Sequence, residues 1–202
     1  MKSFTKTMIL ITTFILYMTI SNISAKEIKL EQPNLDDSFL KILNNRVSTR
    51  DYDNTRKIDN KTLSEILWSA FGITRLEETK RTIPTALNKQ DLEIYVIKKD
   101  GTWLYDAKKL ILKLITNKDL TSYFNTQDYM PDVDIILLYI TKEENDYSLM
   151  HAGSAYQNVA LYCAKNGIGN IVRGYFDKEG IAKELQIDND NVIISQAIGY
   201  KK

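Results

Sequence analysis

The sequence predicts an α+β sandwich built on one central sheet, and three stretches carry that reading. Asp134-Ile135-Ile136-Leu137-Leu138-Tyr139-Ile140 is continuously apolar after its first residue, as a central strand covered on both faces requires. Glu93-Ile94-Tyr95-Val96-Ile97 is rich in β-branched and aromatic residues, and Asp100-Gly101 turns it into Thr102-Trp103-Leu104-Tyr105, which is a hairpin signal. Residues 150–166 read as the longest helix. Ala152, Gly153, Ala155, Ala160 and Ala164 allow it to pack closely, and Gly167 and Gly169 end it. Helices and strands therefore interleave around one sheet.

The other elements follow in chain order. Lys2 and Lys6 precede a mostly apolar run from Met8 to Ile20, and Ser21-Asn22-Ile23-Ser24-Ala25 is a small, polar tail. This is the pattern of a cleaved signal peptide over residues 1–25, so export is expected. The apolar run is short for a bilayer span, and no Cys lies near it for a lipid anchor. Residues 26–202 then read as a single domain, because no repeat, low-complexity tract or Pro/Gly-rich linker divides them. Residues 26–35 read as an extended lead-in. Asp36 or Asp37 caps a short helix through Asn44, with Phe39, Leu40 and Leu43 on one side. Asn60 caps a second helix carrying Leu63, Ile66, Leu67 and Ala70, stopped by Gly72. Residues 74–82 are highly charged and read as irregular. Leu110, Ile111, Leu114 and Ile115 predict a helix after the hairpin. A short strand at 170–174, a helix near 177–185 and a last strand from Asn191 to Ile198 complete the chain.

Composition removes several function classes. The whole chain carries 27 Lys and Arg against 26 Asp and Glu, and both charges of the first 25 residues are basic. The expected mature chain is thus near neutral, which gives no support to nucleic-acid or membrane-surface binding. No stable membrane insertion is expected after signal cleavage. One His and one Cys cannot build a metal cluster. His151 reads as an ordinary helix-start residue, and Cys163 as inert core without a disulfide partner. Neither a Gly-rich phosphate loop nor a nucleophile–base pair is visible, so an enzyme with this sequence needs a bound cofactor to carry its chemistry.

One stretch could hold such a group. In Arg46-Val47-Ser48-Thr49-Arg50-Asp51-Tyr52, two guanidiniums and a hydroxyl alternate. If the stretch is extended, Arg46, Ser48 and Arg50 share one face, with Val47 and Thr49 on the other. Such a face suits a phosphate and leaves one Arg for a second acceptor. Taken alone, the stretch also reads as a basic turn after a helix.

These seven residues resemble the opening signature of the FMN-dependent nitroreductases, an Arg-x-Ser-x-Lys/Arg-x-aromatic stretch after the first helix. Arg81-Thr82-Ile83-Pro84-Thr85-Ala86-Leu87-Asn88-Lys89-Gln90 is similar to the family's Pro-Ser-x-x-Asn-x-Gln loop. Phe124-Asn125-Thr126-Gln127-Asp128 resembles its polar segment before the buried strand. Ala155-Tyr156-Gln157-Asn158 through Gly167-Ile168-Gly169 resembles its long helix. Ile171-Val172-Arg173-Gly174-Tyr175-Phe176 and the terminal Ile198-Gly199-Tyr200-Lys201-Lys202 complete the set. Five such stretches in the expected order span roughly residues 36–202.

The resemblance implies a three-layer α-β-α sandwich around a mixed, largely antiparallel sheet, and a homodimer with FMN at the interface. It implies that Arg46 and Ser48 hold the phosphate, while Arg50 reaches N1 and O2 of the ring. A cation there favours the charge that the pyrimidine gains on reduction. Gln127, with Asn125, would hydrogen-bond the pyrimidine. Pro84, Thr85, Ala86 and Asn88 would approach the flavin from the other subunit. Backbone groups of Arg173 and Gly174 would lie near N5 and O4, although many relatives have Glu at the position of Arg173. The family's longer basic tail is replaced by Lys201-Lys202, with Lys202 either at the phosphate or at a solvated end. The implied reaction passes two electrons from NAD(P)H or another reductant through FMN to a nitroaromatic, quinone or similar small acceptor. A catalytically inactive flavin-binding or structural homodimer of the same fold is the alternative.

Overall fold

The computed structural model describes residues 28–142 and 147–202; the expected signal peptide, 1–25, lies outside the described residues. The chain divides into two units, residues 1–34 and 35–202. In the first, the described residues 28–34 are exposed and carry no regular secondary structure. The second unit holds every element that follows.

It begins with helix α1 (Ser38–Asn45), capped by Asp37, whose side chain accepts from the amides of Phe39 and Leu40. Helix α2 (Asn60–Phe71) is capped one residue earlier than expected: the cap is Asp59, which accepts from the Thr62 amide at 2.7 Å. Such a cap contributes about 1 kcal/mol. The charged stretch after α2 is a small antiparallel ribbon, β1 (Ile73–Arg75) with β2 (Lys80–Arg81).

The main sheet then forms from β3 (Leu92–Lys98), β4 (Gly101–Asp106), β5 (Ile111–Thr116), β6 (Ile135–Thr141), β7 (Ile168–Arg173) and β8 (Val192–Tyr200). Its order is β5-β4-β3-β6-β8-β7. All five pairings are antiparallel, so the mixed component of the expected sheet is not found among the described strands. The predicted hairpin joins β3 to β4 with Lys98 opposite Gly101, which places Lys99-Asp100 at the turn. Gly101 has φ +147°, and a Cβ there would lie 2.7 Å from the Thr116 carbonyl oxygen, so only glycine fits.

Strand alternation assigns the two faces. Ile94, Val96, Leu137 and Tyr139 pack under α2 and α3 (Ser148–Lys165). Tyr95, Ile97, Ile136 and Leu138 pack under α4 (Lys178–Leu185) and the 3-10 turns Thr121–Phe124 and Met130–Asp132. The result is the three-layer sandwich the sequence implied. All seven residues of β6 are buried, as its unbroken apolar run required. No helix among the described residues is long and apolar enough to cross a membrane.

One element differs in kind. Residues 111–116, read as a helix, are the edge strand β5, paired with β4 from Thr102↔Thr116 to Asp106↔Ile111. Leu110, Ile111, Leu114 and Ile115 do share the spacing of a helix face. However, they are 44–61% exposed, so no core rewards that face. Pairing with β4 and the left-handed turn at Leu110 (φ +51°) decide the outcome instead.

Candidate functional site

Residues 46–50 leave α1 as an extended strap, beginning at Arg46 with φ −68° and ψ +116°. Two contacts hold it against the sheet. The Thr49 amide donates to the Asn170 carbonyl on β7 at 2.9 Å, and Tyr52 forms a β-bridge with Lys201 beyond β8. Tyr52 is 1% exposed, and its hydroxyl donates to the Thr49 carbonyl at 2.9 Å. Its burial holds the phenol well above its ordinary pKa.

The bed for this ring is a pair of facing glycines, Gly169 and Gly199. A Cβ on Gly169 would lie 2.8 Å from Thr49 Cγ2 and 3.1 Å from Tyr52 Cε1, and one on Gly199 would lie 3.0 Å from Tyr52 Cδ1. Gly169 therefore sets how closely the strap approaches β7. Behind it, the Gln196 amide donates to Asn170 Oδ1 at 3.0 Å and accepts from the Tyr139 hydroxyl at 2.6 Å. Asn170, whose carbonyl receives the strap, is thereby fixed from inside the sheet.

Burial along the strap follows its alternation only around Thr49, which is buried between exposed Ser48 and Arg50; Val47, read onto the face of Thr49, is exposed, and Arg46 is half-buried. No carboxylate or hydrogen-bond partner engages the side chains of Arg46, Ser48 and Arg50 among the described residues. Lys202 lies beside the strap, its ammonium 3.3 Å from Asp51.

Gln127 lies toward the same region through Tyr129. The rings of Tyr52 and Tyr129 are 6.2 Å apart, and the Tyr129 hydroxyl donates to Gln127 Oε1 at 2.9 Å. Asn125 is exposed at the end of its 3-10 turn. Arg173, whose backbone was the expected contact, is buried with its side chain turned toward residues 124–127, and Gly174 beyond it is exposed with open space around it.

The loop with Pro84, Thr85, Ala86 and Asn88 lies elsewhere. Its anchor is His151, in the first turn of α3, whereas the strap sits on Gly169, past the last turn. Helix α3 has 18 residues and is about 27 Å long. One chain thus cannot bring this loop to its own strap. The loop is also contorted: Leu87, Asn88 and Gln90 have φ of +53°, +54° and +48°. Asn88 Oδ1 accepts from Gln90 Nε2 at 3.1 Å and from the Lys80 ammonium at 3.4 Å, inside the loop.

His151 corrects the sequence reading. It is 3% exposed; its Nδ1 lies 2.7 Å from Asp91 Oδ1, and its Nε2 accepts from the Ala86 amide at 2.8 Å. An acceptor Nε2 requires the proton on Nδ1, facing Asp91. His151 is the tether of the loop. Its partners are 60 and 65 residues away, which no spacing in the sequence could reveal. Cys163 is buried core as expected, and burial pushes its thiol up to about 12. No group of His, Cys, Asp and Glu able to hold a metal occurs among the described residues.

The model of the nitroreductase family matches residues 43–200. The chain belongs to the nitroreductase family. A structure from Ralstonia eutropha assigned as a nitroreductase is 29% identical, with 87% of this chain and 89% of that one covered at a TM-score of 0.74. Two more distant neighbours share the nitroreductase fold. A chain of the Escherichia coli microcin synthetase McbBCD complex with truncated pro-MccB17 is 16% identical, over 91% and 81% of the two chains, at a TM-score of 0.68. A Desulfovibrio desulfuricans structure in complex with FMN is 18% identical, over 85% and 88%, at a TM-score of 0.58. No curated protein matches the sequence. Family membership makes the chain a flavin-type oxidoreductase in general terms. The donor set fits FMN: a guanidinium and a hydroxyl for a dianionic phosphate, a second guanidinium for the ring, and the Gln127 amide for a ring carbonyl.

Proposed function

We propose that this chain is an exported, homodimeric FMN oxidoreductase. It takes two electrons from NAD(P)H or another reductant and passes them to a nitroaromatic, quinone or similar small acceptor. The observation that carries this reading is the strap: among the described residues, the side chains of Arg46, Ser48 and Arg50 have no partner, on backbone pinned at Thr49 and Tyr52. A pair of cations left unneutralised on rigid backbone is a site for a polyanion.

The rest of the chain supports the assembly. Residues 84–88 lie at the far end of α3 from their own strap, so they complete a site only across a two-fold interface. Leu87 is 85% exposed at the loop tip, and Phe39, Leu43, Trp68, Leu149 and Met150 are exposed as well. Large apolar side chains on a surface are what an obligate interface covers. Bound FMN would supply the hydride and electron chemistry. The protein binds the phosphate, orients the ring and places the Arg50 cation where negative charge grows. Export disfavours NAD(P)H, which is scarce outside the cytoplasm, so a membrane or protein reductant is also a candidate donor.

The test is the visible spectrum of residues 26–202 after incubation with FMN and desalting. Retained flavin bands, bleached by NADH, NADPH or dithionite and restored by a quinone or nitroaromatic, are the expected result. Bands that dithionite bleaches, but that neither NADH nor NADPH bleaches and no quinone or nitroaromatic restores under anaerobic conditions, would identify an inactive flavin-binding protein. A colourless protein would refute the cofactor assignment.

A further inference from the structure

Arg173 is 4% exposed, and its four hydrogen bonds all go to neutral oxygens. Its Nε–H donates to Gln127 Oε1 at 3.0 Å, and its Nη1 to the Phe124 carbonyl at 3.1 Å. Its Nη2 donates to Thr126 Oγ1 at 2.8 Å and to the Tyr175 carbonyl at 3.0 Å. One guanidinium therefore clamps the backbone of 124–127 and also grips the side chain at its end.

The grip decides which atoms Gln127 shows to the outside. A guanidinium N–H can only donate, so the Gln127 atom facing it must be the amide oxygen. That oxygen also receives the Tyr129 hydroxyl at 2.9 Å, which fills both of its lone pairs. Turning the amide over would set its NH₂ against the Arg173 N–H, two donors with nothing to accept. The Gln127 amide is thus locked with Oε1 on Arg173 and Tyr129; the residue is exposed, and no partner accepts from its Nε2–H₂ among the described residues.

We propose that Arg173 is a positioning residue, acting through Gln127 to present a fixed N–H donor to a carbonyl acceptor, here a pyrimidine carbonyl of the flavin. This rests on the FMN reading above. The donor strengthens as that carbonyl gains electron density, so it holds reduced flavin more tightly than oxidised. Because the acceptor atom is spent on Arg173, Gln127 has none left for the ring N–H.

Gln127→Glu separates the two faces of the amide. A carboxylate keeps an inward oxygen for Arg173 and preserves the clamp, while its outward atom becomes an acceptor facing an acceptor. The expected result is an FMN dissociation constant at least tenfold weaker, with the melting temperature of the flavin-free protein not lowered. Arg173→Met is then placed in the wild-type and Gln127→Ala backgrounds. It should weaken FMN binding in the first and add little in the second, because its effect runs through Gln127. Equal FMN affinity in Gln127→Glu and wild type would overturn the inference while leaving the cofactor reading intact. Equal weakening by Arg173→Met in both backgrounds would also overturn it, leaving Arg173 a structural residue. If Arg173→Met does not fold, Gln127→Glu decides alone. A wild type that retains no FMN would remove the cofactor reading and this inference together.

Discussion

A methyl group at position 169 is the smallest change that tests the strap. Its carbon would sit 2.8 Å from Thr49 Cγ2, so either the strap or β7 must yield. Gly169→Ala should cost about 1–3 kcal/mol as overpacking. It should also weaken FMN binding, because it moves the backbone that carries Arg46, Ser48 and Arg50; calorimetry and a flavin titration on one sample read both. Arg46→Ala leaves the backbone alone and removes one charged hydrogen bond, about 1.5–3 kcal/mol, or roughly ten- to hundredfold in FMN affinity. Unchanged affinity would exclude Arg46 from the phosphate site. Cys163 makes the opposite prediction. With its thiol near 12 and its side chain buried, it should resist iodoacetamide at pH 8 in the native protein and react once unfolded. These residues differ in how legible they were. Arg46, Ser48 and Arg50 announced themselves by alternation within five positions. His151 did not, since its role depends on Asp91 and Ala86, which the fold alone brings to it.

At the scale of elements, the buried parts read correctly because the demand for apolar side chains on both faces leaves few alternatives. β6 is the clearest case, followed by α3 with its small residues. β5 was misread for the converse reason. Leu110, Ile111, Leu114 and Ile115 contact little core, so their spacing was set by no packing surface and carried no reliable period. What makes the segment a strand is its neighbour β4, and pairing of that kind is a long-range fact. The same difference should appear in amide exchange. β3, β6 and β8, paired on both sides, should exchange slowest, while β5 at the outer edge should open first, at lower free energy than global unfolding. Protection of β5 equal to that of β6 in the isolated chain would contradict this ranking.

The whole molecule is organised by the length of α3. Its C-terminal end delivers the strap through Gly169, and its N-terminal end holds the 84–88 loop through His151. One rigid helix thus keeps the strap and the loop apart within one chain; in the proposed homodimer they would meet across the interface. The family motifs were readable one by one, but this separation was not, because motif order along a sequence carries no distance.

The loop tip holds a further consequence, in conformational energy. Leu87 sits in the left-handed region at φ +53°, which costs a branched residue roughly 1–2 kcal/mol, and its side chain is spread into solvent. Leu87→Gly should therefore raise the melting temperature of dilute chains and, in the proposed homodimer, weaken association, measured by sedimentation across a concentration series. Heat resistance of the lone subunit and cohesion of the pair would pull this one position toward different residues.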